Sequence, residues 1–356
     1  MKSMPLHVIL LWPLSLVYAM LMRLRSWFYL VGVFPSEPSG AYVVSVGNLQ
    51  VGGTGKTPFV VMLANRWKSK ARIGVVSRGY GRETTGVWRV EASKPRAAEL
   101  FGDEPTLIAE STSVPVFVGE SRVRAAQDLI AAEGTRLIIL DDGFQHLKLR
   151  RSFDIVLIDA SAPDWHWRVL PAGRLREPLS ALERADLVIL TKTESADASR
   201  LKAIRSELRS RLDGLRRRQV PVLSMRQELE IPQELQSSQV FLVAGLARPS
   251  NFFELAKRQN IEVVGELAFD DHYAYSEDDV RDIKAHASRA GASTVLTTEK
   301  DAVKLKSIWE KVEPALALEV ARLNLAPADE SDRVGLERLD AIIMDQTRIL
   351  SRPTRR

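Results

Sequence analysis

The string Gly47-Asn48-Leu49-Gln50-Val51-Gly52-Gly53-Thr54-Gly55-Lys56-Thr57 constrains this chain more than any other feature. It follows an apolar, β-branched run at residues 42–46 and opens a helical pattern at residues 57–68. A strand, a glycine-rich loop and a helix in that order make a cradle for phosphate. Glycines let backbone N–H groups converge on oxygens with no Cβ in the way, and the helix N-terminus adds a positive field. Gly52, Gly53, Thr54, Gly55, Lys56 and Thr57 are therefore the expected nucleotide-binding residues. Lys56 can reach the β- and γ-phosphates, and the Thr57 hydroxyl is offered to Mg²⁺. The strict pattern has glycine where this chain has Gln50. The Gly-Gly-Thr-Gly-Lys-Thr core is still too specific for an ordinary turn.

The surroundings suit such a loop. Short apolar runs at residues 42–46, 73–76, 116–118, 137–140, 155–158 and 187–190 alternate with amphipathic stretches such as 57–68 and 122–132. Strands that are apolar throughout belong in a parallel sheet covered on both faces, so the pattern predicts a doubly wound, mainly parallel α/β lobe. A charged stretch from Ser195 to Arg218 reads as an exposed helix leading out of it. A second, smaller alternation follows, with strands at 240–244, 261–264 and 294–297. Between its last two strands a helix is announced by Ser276 as N-cap, Asp278 and Asp279 in the first turn, and Gly291 at the end. The expected organisation is an N-terminal helix at 1–34, a nucleotide-binding lobe at 35–225, a smaller α/β lobe at 226–350 and a basic tail at 351–356.

The 356 residues are 45% hydrophobic, enough for a large core and against wholesale disorder. There is no cysteine, which excludes disulfides, thiolate metal sites and cysteine nucleophiles; the five histidines argue against a multi-histidine metal centre. A net charge of +5 suits an anionic substrate or an anionic membrane surface. Lys and Arg are not gathered into one stripe, so nucleic acid is not an expected partner.

From Leu6 to Met22 the chain is apolar except for His7, Pro13 and Ser15, with Lys2 before it and Arg23 and Arg25 after. It is short for a crossing helix, and Pro13 weakens one. No small-residue cleavage site follows, as a signal peptide requires. A buried core helix is a further reading. A helix in the membrane interface is favoured, because Trp12, Tyr18, Trp27, Phe28 and Tyr29 suit headgroup depth and the arginines would meet anionic lipid.

A second motif complements the loop. The apolar run at 137–140 ends in Asp141-Asp142-Gly143-Phe144-Gln145-His146, and a carboxylate at a neighbouring strand end is where Mg²⁺ of a nucleotide is commonly held. These features reach a Mg-nucleotide site without separating a kinase from a membrane-associated ATPase or GTPase switch.

Other dense clusters lie at 77–82, 102–105, 171–178, 269–275 and 297–302. With Pro13-Leu14-Ser15 and Tyr18, residues 46–58, 140–146 and 244–249, Asp271-His272 and residues 298–305, they make the chain resemble the tetraacyldisaccharide 4′-kinases, the lipid A 4′-kinases of Gram-negative bacteria. That family also lacks the glycine at the place of Gln50. The resemblance implies a two-lobed P-loop kinase with an N-terminal membrane-associated helix, moving the ATP γ-phosphoryl group to the 4′-hydroxyl of tetraacyldisaccharide 1-phosphate at the cytoplasmic face of the inner membrane. It implies that Asp103 takes the hydroxyl proton with His272 paired to it, and that Lys56 and Asp142 serve the transfer. Thr57, Glu104, Asp141 and Asp142 become the expected Mg²⁺ ligands. Asn48, Arg78, Arg176, Glu177 and Arg248 become candidates for substrate or nucleotide contacts, and Thr298, Glu299 and Lys300 for the ATP base or ribose. Because Asp103 and His272 fall in different predicted lobes, lobe closure is expected to assemble their pair.

Overall fold

A computed structural model describes residues 6–215 and 220–350; Lys2, the three arginines at 216–218 and the tail 351–356 lie outside the described residues. The chain divides into two compact units, one of residues 1–78, 114–227 and 325–356, the other of residues 79–113 and 228–324. This corrects a contiguous division at 225/226 in two places. Residues 79–113 belong with the second unit, and residues 325–350 return to the first. The chain passes between units four times, and the last two crossings fall inside the strands Val222–Glu230 and Ala317–Pro327.

In the first unit the strands lie in the order Val222–Glu230, Leu187–Thr191, Phe153–Asp159, Tyr42–Asn48, Leu137–Asp141, Ile73–Ser77 and Val116–Val118. Every pairing in that series is parallel. The five inner strands are buried at every position, as their unbroken apolar runs require. Helix Lys56–Trp67 buries Phe59, Val60, Leu63, Ala64 and Trp67, a single stripe at helical spacing. Helix Arg122–Glu133 starts at the Ser121 cap and stops at Gly134 in the left-handed conformation. The return of the chain to this unit is anchored by Asp340 on the helix Glu330–Leu350. Its carboxylate takes the Trp67 indole N–H at 2.7 Å, Arg66 at 2.8 Å and Lys70 at 3.0 Å. The helix Ala198–Leu215 buries Ile204 and Leu208 in the core of the same unit.

The second unit has a parallel sheet in the order Glu262–Phe269, Gln239–Gly245, Thr294–Thr298 and Ala317–Pro327. Its middle strand serves two cores by strict alternation. Leu242 and Ala244 pack with Phe252 and Phe253 on one face, while Phe241 and Val243 pack with Val280, Ile283 and Trp309 on the other. Helix Glu277–Arg289 has the expected Ser276 cap, completed into a capping box by Asp279; Ala290 is its C-cap and Gly291 follows with φ of 78°. Helix Asp103–Thr112 packs on helix Glu299–Trp309 within this unit.

At the N-terminus, helix Leu6–Leu10 is followed by helix Trp12–Leu30, with Pro13 in its first turn, where the missing N–H costs no bond. Among the described residues no helix is long and apolar enough to cross a membrane.

Candidate active site

The strand Tyr42–Asn48 is flanked by Leu137–Asp141 and Phe153–Asp159, with Val46 level with Asp141 and Asn48 level with Leu157. The glycine-rich loop thus leaves the sheet between Asp142 on one side and Asp159 on the other. Its shape is held from within. Asn48 Nδ2 donates to Thr54 Oγ1 at 2.8 Å, and Thr191 Oγ1 donates to the Thr54 carbonyl at 2.8 Å. Lys192 Nζ donates to the Gly53 carbonyl at 2.6 Å and to Asp159 at 2.9 Å. Gln50 explains its own departure from glycine: its Oε1 accepts the Asp159 backbone N–H at 2.9 Å, which only a side chain can do. Helix Lys56–Trp67 begins behind Gly55 in the left-handed conformation, so the loop ends on a helix N-terminus as expected.

The segment at 171–178 pairs with this loop. Val51 N–H donates to Arg174 O at 2.8 Å, and Arg176 N–H donates to Leu49 O at 2.6 Å. That pairing aims the Arg176 guanidinium at Asp142, with bonds of 2.9 and 3.2 Å, while Lys56 Nζ stands 3.5 Å from the same carboxylate. Burial pushes the Asp142 carboxyl up, but Lys56 and then Arg176 outweigh it and hold it below its ordinary value. Asp142 is therefore ionised at neutral pH, held between two cations beside the loop. Its φ of 48° is a left-handed conformation rarely taken by residues other than glycine, and such strain collects at functional sites.

Several expected contact residues are buried and make hydrogen bonds within the protein. Asn48 is fully buried and shapes the loop through Thr54. Glu177 is 1% exposed and binds Arg184 at 2.9 and 3.1 Å, with that guanidinium over the Phe144 ring. Asp141 is 2% exposed and accepts the Ser77 hydroxyl at 2.9 Å. Each faces into the packed interior, where a side chain's partners are decided by the fold. Arg78 is exposed, close enough to Arg122 to make that charge costlier, after burial itself. Arg122, Thr191 and Lys192 went unnoticed in the sequence. Thr191 and Lys192 carried a usable signal, two polar residues at the end of an apolar parallel strand.

The second unit holds the Asp103–His272 pair already assembled, with His272 Nδ1 3.2 Å from Asp103 Oδ2. The expectation that lobe closure brings them together is corrected: both residues belong to one unit, because residues 79–113 fold with it. Asp103 opens a helix behind Gly102, whose φ is 98° and whose Cβ, if present, would lie 3.2 Å from Gly79 Cα. The Arg-Gly-Tyr-Gly and Gly-Asp-Glu-Pro motifs are thus two turns packed backbone to backbone, and Tyr80 stands with its ring 5.8 Å from that of His272. Lys304 Nζ lies 3.2 Å from Asp103 Oδ2. Burial raises the Asp103 pKa, but the His272 hydrogen bond and then Lys304 outweigh it and keep the carboxyl below its ordinary value. Glu104 sits on the first turn of the same helix. Thr298 caps helix Glu299–Trp309 through Asp301, Glu299 accepts the Leu323 backbone N–H at 3.3 Å, and Arg248 precedes helix Pro249–Lys257. Lys304 was also missed in the sequence, although it lies one helical turn beyond Lys300.

Among the described residues no three histidine, aspartate or glutamate side chains gather to hold a metal ion. The donors beside the loop are a hydroxyl and carboxylates, the hard oxygen set that suits Mg²⁺, which needs only one or two protein ligands when phosphates supply the rest.

A parallel sheet delivering a glycine-rich loop to a helix N-terminus is the nucleotide-binding arrangement of the P-loop proteins, kinases among them. A family model described as tetraacyldisaccharide-1-P 4′-kinase matches residues 7–339. The chain belongs to that family. It is 37% identical to the tetraacyldisaccharide 4′-kinase of Bdellovibrio bacteriovorus over 304 residues, covering 83% of this chain and 89% of the relative. It is 38% identical to that of Pelobacter propionicus over 330 residues, covering 90% of this chain and 89% of the relative. The crystal structure of the "apo" form of LpxK from Aquifex aeolicus in complex with ATP is similar with a TM-score of 0.73 at 29% identity, covering 95% of this chain and 99% of that one.

Proposed function

We propose that this chain transfers the γ-phosphoryl group of ATP to the 4′-hydroxyl of a tetraacyldisaccharide 1-phosphate while attached to the cytoplasmic face of the inner membrane. The observation that carries the reading is the preassembled Asp103–His272 pair, 3.2 Å apart, in a chain that also has a phosphate loop. A hydrolytic switch orients a water as its nucleophile, whereas a kinase acting on a sugar is served by a base for the acceptor hydroxyl.

Phosphoryl transfer runs through a loose transition state, so positioning and charge neutralisation dominate. The loop N–H groups and Lys56 hold the β- and γ-phosphates. Arg176 steadies Asp142 and adds positive charge near the transferring group. Thr57 and Asp142 are the residues that would hold Mg²⁺, which when bound supplies further neutralisation of the phosphate charge. Asp103, kept ionised by His272 and Lys304, accepts the proton of the attacking sugar hydroxyl.

Membrane attachment is supported by the helix Trp12–Leu30. It turns Ser15, Tyr18 and Arg25 toward the protein, where they bond to Ala172, Arg176 and Gln145. It leaves Leu14, Leu16, Val17, Met20, Leu21 and Trp27 exposed. A substrate with acyl chains in the bilayer and a donor in the cytosol would meet at such a surface.

The test is radiolabelled ATP with detergent-dispersed disaccharide 1-phosphate, read by thin-layer chromatography. Label is expected in the lipid, and Asp103→Ala and His272→Ala should each lose more than about 10²-fold in turnover. Label released only as free phosphate would favour the switch, and near-wild-type turnover in either variant would remove the assigned roles.

A further inference from the structure

The hydrogen bonds around His272 determine which of its nitrogens carries the proton. Lys300 Nζ lies 3.2 Å from His272 Nε2 and 2.7 Å from Asp271 Oδ1. An ammonium has donors and no acceptor, so the nitrogen it faces must present a lone pair. Asp271 is no competing acceptor for a proton on Nε2, because its Oδ1 is 3.9 Å away. The proton then sits on Nδ1, which donates to Asp103 Oδ2 at 3.2 Å. An Nε2–H tautomer would set N–H against N–H, and an imidazolium would set cation against cation.

The position of Lys300 is itself built in. It is the second residue of helix Glu299–Trp309, whose first turn is pinned by the fully buried Asp301. The Asp301 carboxylate accepts the Gly245 backbone N–H at 3.0 Å, the Tyr275 hydroxyl at 3.0 Å and the Thr298 hydroxyl at 2.7 Å. Lys300 and Lys304 are four residues apart and share a helix face, so the turn that directs one at His272 directs the other at Asp103. The Lys300 side chain is only 17% exposed, which limits its freedom to swing away.

We infer that Lys300 is a positioning residue: by donating to His272 Nε2 it keeps that nitrogen unprotonated, so that the single imidazole proton stays on Nδ1, where Asp103 Oδ2 accepts it. The other Asp103 oxygen, Oδ1, is then the one that accepts the hydroxyl proton, and His272 orients the base without carrying that proton away. The catalytic part of this inference rests on the kinase reading above; the tautomer does not.

The experiment uses full-length protein with ¹⁵N-labelled histidine, His272 being identified by the resonances lost in His272→Asn. Two-bond ¹H–¹⁵N correlation is expected to show Nδ1 protonated and Nε2 bearing a lone pair. Lys300→Met should leave Nε2 open to a second proton while Nδ1 keeps its own, seen as loss of the lone-pair signal at Nε2, and lower kcat by roughly 10- to 100-fold, the range for losing a group that orients a functional ligand, with KM for ATP little changed. Lys300→Arg, which keeps a donor there, should retain the wild-type pattern and recover most of the turnover. A proton on Nε2 in the wild type overturns the inference. So does an unchanged His272 pattern in Lys300→Met, or a loss expressed only in KM for ATP. The expected tautomer in a protein that phosphorylates no disaccharide would support the hydrogen-bond assignment and remove the kinase reading.

Discussion

The His146 imidazole is half-buried, and burial first, then Arg122, Arg151, Arg25 and Lys148, push its pKa down from 6.5 to about 3. The folded state thus refuses a proton that the unfolded chain accepts. Stability from this group is fully present above about pH 6.5 and is lost as pH falls toward about 3, because in that window the unfolded state binds more protons. Urea titrations across the window should show that fall, and His146→Gln should flatten it; an NMR titration of His146 with a midpoint near 6.5 would refute the assignment. His146 was visible in the sequence as the last residue of a motif, but its charge state was not. The four cations around it come from positions 25 to 151 along the chain and meet only in the fold.

Strand and loop depend on one another at Gly47. A Cβ there would lie 2.5 Å from Phe144 Cβ and 2.7 Å from Phe144 N, so the strand end and the Asp142-Gly143-Phe144 turn touch with no room between them. At Gly53, by contrast, a Cβ would meet nothing within 4 Å. Gly47→Ala should therefore lower the melting temperature, at a cost of about 1–3 kcal/mol for forced overpacking. Gly53→Ala should leave melting unchanged yet weaken ATP binding, since the space a methyl would enter is the space the proposed phosphate needs. Calorimetry with nucleotide titration separates the two, and equal melting temperatures for both variants would contradict this account. At this scale most of the first sheet was legible, because fully buried parallel strands are apolar at every position. The strand Val222–Glu230 was not, since its outer half alternates buried and exposed residues and carries Arg226, Glu228 and Glu230 on its open side.

Across the molecule, the helix Trp12–Leu30 meets the elements that frame the phosphate loop. Tyr18 donates to the Arg176 carbonyl at 3.1 Å, one residue's backbone away from the guanidinium on Asp142. Arg25 donates to the Gln145 carbonyl at 2.9 Å, in the turn that follows Asp142. The proposed lipid-facing helix and the phosphate loop are thus neighbouring parts of one unit. Leu16 is 59% exposed and Met20 61% exposed, so the pair Leu16→Asp and Met20→Asp should not alter melting. It should weaken binding to anionic phospholipid vesicles at least about tenfold, because each apolar side chain withdrawn from lipid forfeits roughly 1.5–3 kcal/mol. Unchanged co-sedimentation would argue against an interfacial helix.

The amino-acid sequence alone determined the local devices: the phosphate loop, the Ser276 cap, the apolar parallel strands and the acidic turn after residue 140. Each is specified by residues within a few positions of one another, where backbone geometry and near-neighbour hydrogen bonds decide the outcome. The tertiary structure alone decided which side chains pair across long separations. It placed Asp103 beside His272 in one unit, turned Asn48, Asp141 and Glu177 inward, and brought residues 325–350 back to the first unit through Asp340. Such choices follow from packing and from the need to give every buried charge a partner, and neither is written at any single point along the chain.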